Sequence, residues 1–417
     1  MTILYTFYLL YGCFFLKLAW MAGEGLSDQE VPWKMHVIDS SSRGADGTKL
    51  TDVNGDGHED IVVGWEEGGV TRLYINPGEP DLEWTYIEVP SPDVEDAFAV
   101  DLDGDGYMDL VTLSEGSHQR ITVHWGPSDW ELYYRSEHWV SQDIPVTIGM
   151  TRWMFGRPHH MDGNNGIDLV VGSKNPNGTL GWMESPSDPR NLDEWQYHEL
   201  SPAGWVMSIE LVDMNGNGNE DILLSDRYGE MTGLRWLERP ETGNLFEPWA
   251  NHFIGLQEGE PMFLGFVPPQ NKENGQIFSA IMLPDLVRGW ECYFKKDETW
   301  ENNFIPYPVG SGTRGKSVAF GDINGGGGVD MVASFEGASG RSGIIGIIDV
   351  FSDSPKVVDI SGAPGVKYDL VVLVDMDGDG DLDVLTSEET AEDGSKKGLG
   401  VIWYENPKGG NVPEKVN

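Results

Sequence analysis

Short apolar runs recur along this chain, each closed by glycine, proline or acidic residues, and stretches long enough for a helix are few. The first clear unit reads GTKLTDV at 47–53, DIVVG at 60–64, RLYIN at 72–76 and WTYIEV at 84–89. Each run is rich in β-branched and aromatic residues and bounded by turn formers, which predicts four consecutive strands. The third strand returns as VHWG at 123, GWMES at 181, RWLER at 235, GWECYF at 289 and VIWYEN at 401. The outer strand returns at Trp130, Trp195, Trp249 and Trp300.

Aligned on the turn after the first strand, the units begin at Asp52, Asp101, His160, Asp213, a degenerate frame at Pro268, Asp322 and Asp375. The intervals are 49, 59, 53, 55, 54 and 53 residues, read directly as differences between those positions. A period near fifty with four short strands predicts an all-β, seven-bladed β-propeller spanning residues 33–408. The run WKMHVI at 33–38 is an outer strand standing before any inner one, and VIWYENP at 401–407 has no outer strand after it. Residues 33–38 are therefore expected to complete the seventh blade and close the ring, leaving no open sheet edge. Residues 23–32 read as a linker and 409–417 as a tail.

Composition narrows the partners. With 69 acidic against 27 basic residues the formal charge is −42, which repels nucleic acid and anionic membrane. Most of this charge reads as a solvated acidic surface, and part as metal ligands. The only cysteines are Cys13 and Cys292, and Cys13 falls in the leader, so packing and metal, not a disulfide, must hold the domain. The apolar run ILYTFYLLYGCFFL at 3–16, followed by Ala19 and Ala22, gives residues 1–22 the form of a signal peptide. A secreted or periplasmic protein is expected; an uncleaved membrane anchor and a start at Met21 are the alternatives.

The turns carry chemistry. In DVNGDGHED the side chains of Asp52, Asn54, Asp56 and Asp60 with the carbonyl of His58 give five hard oxygen ligands on alternate positions, a set suited to Ca2+. An EF-hand needs a glutamate at the twelfth position and flanking helices, whereas Val63 and Thr112 stand there, so these are calcium loops between strands. The loops Asp101, Asp103, Asp105, Asp109 and Asp375, Asp377, Asp379, Asp383 carry four carboxylates each, with the carbonyls of Tyr107 and Asp381 completing them. The loop Asp213, Asn215, Asn217, Asp221, with the Asn219 carbonyl, has less charge and is expected to bind more weakly. Blade six has Gly326 where a carboxylate belongs, blade three offers His160, Asp162, Asn164 and Asp168, and blade five has lost the pattern. Because the loop repeats and protein oxygens saturate it, these ions are expected to be structural.

Chemistry should then gather at the opposite ends of the strands, where Glu66, Glu95, Asp96, Glu115, Arg152, Lys174, Trp205, Asp226, Arg227, Glu260 and Arg314 fall. Carboxylates, guanidinium groups and indoles together are what a sugar ring needs. An equally weighted reading makes these loops merely polar and the tryptophans packing. The adjacent His159 and His160, in RPHHMDGNNG at 157–166, read more readily as a decayed loop than as a zinc site. A sequon stands at Asn177-Gly178-Thr179.

The repeat D-x-[DN]-G-[DN]-G-x-x-D resembles the FG-GAP or VCBS repeat family, seven-bladed propellers found in integrin α-subunit heads, fungal lectins and exported bacterial proteins. VEDAFAVDLDGDG at 94, VVGSKNPNGTLGWMESPSDPRNLDEW at 170 and AGWVMSIELVDMNGNGNEDILLSDR at 203 are similar to the propeller domain of aldos-2-ulose dehydratases. That resemblance implies a sugar dehydratase or lyase, with Glu95, Asp96, His159 and Asp226 as candidate acids and bases and Lys174, Arg227 or Arg314 steadying an oxyanion. Those enzymes add cupin domains, which this chain is too short to hold. The other class is a non-catalytic module recognising a glycan or protein, as lectins and integrins do.

Overall fold

The computed structural model describes residues 31–407 apart from 80–81, 242–243, 272–276, 297–298 and 353. The expected leader, tail and nearly all of the linker lie outside the described residues, as does most of the blade-five turn. Seven antiparallel four-stranded sheets form, one per repeat, which is the seven-bladed propeller expected from the period. Blade one is Ala45–Thr51, Asp60–Trp65, Val70–Ile75 and Thr85–Pro90; blade two is Val94–Val100, Asp109–Ser114, Arg120–Trp125 and Val140–Asp143. Blade three is Arg152–His159, Asp168–Lys174, Thr179–Glu184 and Gln196–Pro202; blade four is Val206–Val212, Asp221–Asp226, Gly233–Glu238 and Ala250–Gly255. Blades five and six start at Gly265–Asn271 and Arg314–Gly321. Blade seven is Tyr368–Val374, Asp383–Glu388 and Gly400–Glu405, with Lys34–Asp39 as its fourth strand.

Trp130 does not begin an outer strand. Residues Trp130–Tyr133 make one helical turn capped by Asp129, and the outer strand of blade two starts at Val140, directly after a second tryptophan, Trp139. An indole marks that position in several blades, and blade two carries two of them nine residues apart.

The described residues divide into two compact units, one holding 38–261 and 396–401, the other 31–37, 262–395 and 402–407. In the first, Phe98, Val111, Leu113, Val123, Trp153, Val171 and Met183 form a core shared by blades two and three, and Val62, Leu73, Ile87, Ala97 and Leu110 one shared by blades one and two. In the second, Met282, Trp290, Val318, Met331, Phe335 and Ile345 do the same for blades five and six. Second strands such as Asp60–Trp65 and Asp109–Ser114 are buried along their whole length, because both faces of each sheet are covered. Each large apolar side chain so buried is worth about 1.5–3 kcal/mol.

Two repeated devices shape the blade ends. The ninth residue of each described turn, an aspartate, accepts one backbone N–H from the turn and one from the chain leaving the third strand. Asp60 takes Val53 and Asn76, Asp109 takes Leu102 and Gly126, and Asp383 takes Met376 and Asn406, all at 2.7–3.1 Å. Asp168, Asp221 and Asp330 repeat the pattern. This staple also stands in blades three and six, whose turns lack the full ligand set, so it accompanies the repeat whether or not that set is complete. The second device is a break in register in every inner strand, at Val94/Asp96 in blade two and Trp153/Phe155 in blade three. A bulge sends neighbouring side chains in new directions. Among the described residues no helix is long and apolar enough to cross a membrane.

Candidate functional site

The unit built from blades one to four gathers charged side chains at the strand ends remote from the turns. Glu66 follows the second strand of blade one, Glu115 follows that of blade two, Lys174 ends that of blade three and Arg227 follows that of blade four. Glu95, Arg152 and Trp205 stand at the starts of inner strands, Glu95 within the blade-two bulge. Carboxylate oxygens of Glu66, Glu95 and Glu115 lie within 4.8 Å of one another. The Lys174 ammonium touches Glu115, sits 3.5 Å from Glu95 and lies 4.2 Å from the centre of the Trp205 ring. Arg227 lies over the same indole at 4.8 Å and pairs with Glu260 at 3.1 Å, to which Tyr228 also donates. Trp205 is thus a platform for cations.

Electrostatics separates the two closest carboxyls. Burial pushes Glu95 well above the ordinary glutamate range, against the pull of Lys174, and the neighbouring Glu115 pushes it further. Burial would also raise Glu115, but its hydrogen bond with Glu95 and the Lys174 ammonium outweigh that and hold it below its usual value. The two carboxyls are thus driven in opposite directions, Glu95 toward holding a proton and Glu115 toward losing it, the division that an acid and a base need.

The remaining expected catalytic residues lie elsewhere. Asp96 points to the other side of the bulge, where it pairs with Lys49 at 2.6 Å and accepts the Gly156 amide. Lys49 also donates to the Gly156 carbonyl and packs over Phe155. Asp226 is fully buried: it accepts the amides of Gly204 and Trp205 and pairs with Arg235 at 3.1 Å, so it holds the Trp205 loop from beneath. Gly204 is required there, since a side chain at that position would begin 1.2 Å from the Tyr228 carbonyl oxygen. His159 closes the inner strand of blade three at its turn end, 3.5 Å from Glu220 and far along the strand from Arg152. Arg314 pairs with Glu336 in the other unit. Lys49 and Arg235 escaped the sequence reading, because a lone cation inside a strand carries no motif.

The donor chemistry of the turns fits a hard divalent cation such as Ca2+. Ligand oxygens of Asp101, Asp103 and Asp109 converge within 4.8 Å, as do those of Asp375, Asp377 and Asp383. Backbone amides organise them: Asp52 accepts Gly55, Asp56 and Gly57, Asp101 accepts Asp105 and Gly106, and Asp213 and Asp375 repeat the arrangement. Asp56, Asp105, Asn217 and Asp379 each accept the amide two residues on, at His58, Tyr107, Asn219 and Asp381. Burial raises Asp109 to about 8, Asp383 to about 7 and Asp60 to about 6, with neighbouring carboxylates adding to the rise. Crowded, partly desolvated carboxylates of this kind suit a hard divalent cation, which would hold them ionised. Arg190 from blade three reaches Asp103 and lies 3.8 Å from Asp105, so a protein cation already stands at the blade-two turn.

Residues 52–112 match the FG-GAP-like repeat family. No curated protein matches the chain in sequence. Among solved structures the chain is similar to BBS1N crystallised in complex with ARL6DN, at 11% identity over 91% of this chain and 97% of that one, with a TM-score of 0.52. It is also similar to a triple arginine-to-alanine mutant of AofleA from Arthrobotrys oligospora, at 9% identity over 81% and 93%, with a TM-score of 0.42. The architecture in blades and the match of its first two turns agree: this chain carries an FG-GAP-like repeat on a seven-bladed β-propeller fold.

Proposed function

We propose that the chain is an exported, calcium-stabilised propeller that removes water from a neutral keto-sugar at the Glu95–Glu115–Lys174 cluster. The single observation that carries this reading is two glutamates, Glu95 and Glu115, side by side and both within reach of the Lys174 ammonium, with burial raising Glu95 while Glu115 is held low by its hydrogen bond with Glu95 and by Lys174. Glu115 removes the proton α to the carbonyl, and the Lys174 ammonium balances the charge developing on the enolate oxygen. The electron pair then expels the β-hydroxyl, to which Glu95 gives its proton, so water leaves and a conjugated carbonyl remains. Glu115 now holds the proton that Glu95 has lost. Their shared hydrogen bond returns it and resets the site.

Charge argues for a neutral substrate. With Glu95 protonated, the carboxylates of Glu66, Glu115 and Glu260 are matched by Arg152, Lys174 and Arg227, so a uronate would add an unbalanced charge. Ca2+ supplies charge neutralisation in the turns of blades one, two, four and seven, and takes no part in the step. An exported setting accords with this, since extracellular calcium modules bind in the range of about 0.1–1 mM.

The test is incubation with 1,5-anhydrofructose and, separately, with uronate polysaccharides, following the ultraviolet absorbance of a conjugated product. Turnover of the neutral sugar, lowered about 10²- to 10⁴-fold in Glu95→Gln and Glu115→Gln, is the expected result. Sugar binding without product would make the cluster a recognition site of a non-catalytic module instead.

A further inference from the structure

The loop after the third strand of blade two, residues 126–139, is longer than its blade-one counterpart at 76–84 and carries a separate surface. It is anchored from below: the Tyr133 hydroxyl donates to the Met108 carbonyl and the Trp139 indole to the Tyr133 carbonyl, both at 2.8 Å. Above these buried rings, Trp130 and Tyr134 remain 36% and 44% exposed. Their planes lie 27° apart with centroids 6.0 Å from each other, and Tyr107 packs on Trp130 at 4.7 Å. Tyr134 stands beside Asn54, Asp56 and Asp60 of the blade-one turn, so the shelf spans the turns of blades one and two.

The surroundings of this shelf are acidic. Ser128 donates to Asp105, Asp129 caps the helical turn, and Glu131 is exposed within it. A divalent ion would not cancel the charge, because the blade-two turn, with Arg190 counted, keeps one negative charge of its four carboxylates and the blade-one turn one of its three. Within 126–139 the acids Asp129, Glu131 and Glu137 outnumber the single Arg135.

We propose that this shelf binds the ammonium groups of a lysine-bearing peptide segment. Exposed indole and phenol faces attract a cation through their quadrupole, and the flanking carboxylates supply the counter-charge and steer it in. A neutral sugar would gain from the rings but nothing from the charge, and an anionic chain would be repelled.

A fluorescent octapeptide alternating lysine and glycine tests this by polarisation at about 0.15 M salt with calcium present, where generic attraction to an acidic surface is largely screened. Wild type should bind the lysine peptide and not its acetylated form. Trp130→Phe should keep most of the affinity, and Trp130→Ala with Tyr134→Ala should lose at least tenfold at an unchanged melting temperature. Sugar turnover at the Glu95 cluster should be unaffected, which separates failure here from failure there. No binding by wild type, equal binding by the acetylated peptide or the double variant, or displacement by a neutral oligosaccharide in place of the lysine peptide would each overturn the proposal.

Discussion

Asp226 and Arg235 form an ion pair in which both side chains are 0% exposed, beneath the loop that carries Trp205. The substitution Asp226→Asn isolates the charge. The Trp205 amide reaches its Oδ1 and the Gly204 amide both oxygens, so asparagine keeps an acceptor for both at Oδ1 but turns its amide nitrogen toward the Arg235 guanidinium. What is lost is the counter-charge of a buried guanidinium. Breaking one partner of such a pair costs about 3–5 kcal/mol, a large share of the roughly 5–15 kcal/mol that holds a domain folded. Adding Arg235→Met removes the orphaned charge and fills its volume. It leaves Ser201, Asn251 and the Pro202 carbonyl without their guanidinium partner, at roughly 1 kcal/mol each, so the double variant should recover about a quarter of the loss. Urea unfolding followed by tryptophan fluorescence measures both, with the midpoint moving at constant slope. If Asp226→Asn costs under about 1 kcal/mol, or if the double variant is as weak as the single, the pair is not a desolvated charge pair and Asp226 is free to act in the site.

Chelation should lower the melting temperature, since each site held at a hundred times its dissociation constant contributes about 2.7 kcal/mol, and Asp101→Asn with Asp375→Asn should blunt the response; an unchanged melt in EDTA would remove the ions from the account. Because Glu95 is raised in the fold, its protonated form is stabilising below the unfolded glutamate value and that stability is lost as pH climbs through the folded value. Glu95→Gln should therefore flatten the alkaline fall in stability, read by melting scans across pH, and remove the acid limb's partner in the activity profile. Arg190→Gln should tighten Ca2+ at the blade-two turn by up to about fivefold in calorimetric titration, because an exposed pair of about 0.2–1 kcal/mol no longer competes; weaker binding would show that the arginine supports the turn instead.

The period of strands and the acidic turns were legible in the sequence because each is encoded within about ten residues. Alternation, β-branching and turn formers set a strand wherever it sits, and the D-x-[DN]-G spacing sets its own amide-lined turn. The ninth aspartate was legible as a carboxylate on the right spacing. Its partner in the chain after the third strand was not, since Asn76, Gly126, Arg239 and Asp349 differ in residue type and donate through their backbones. Nor could a repeat of tryptophans choose between Trp130 and Trp139, because the difference lies in which indole the blade has room to bury.

The repeat placed the site residues at one end of the strands, and tertiary structure decided which of them meet. Glu66, Glu95, Glu115, Lys174, Trp205 and Arg227 come from four blades, and only the packing of those sheets brings carboxylates, ammonium and indole into contact. A bulge parts Glu95 from Asp96, giving one to the cluster and the other to Lys49, although the two are neighbours in the chain. Burial then raises Glu95, while the hydrogen bond with Glu95 and the Lys174 ammonium hold Glu115 low. Periodicity reports which face of a strand is covered; desolvation and pairing between distant carboxylates arise only once the blades stand side by side.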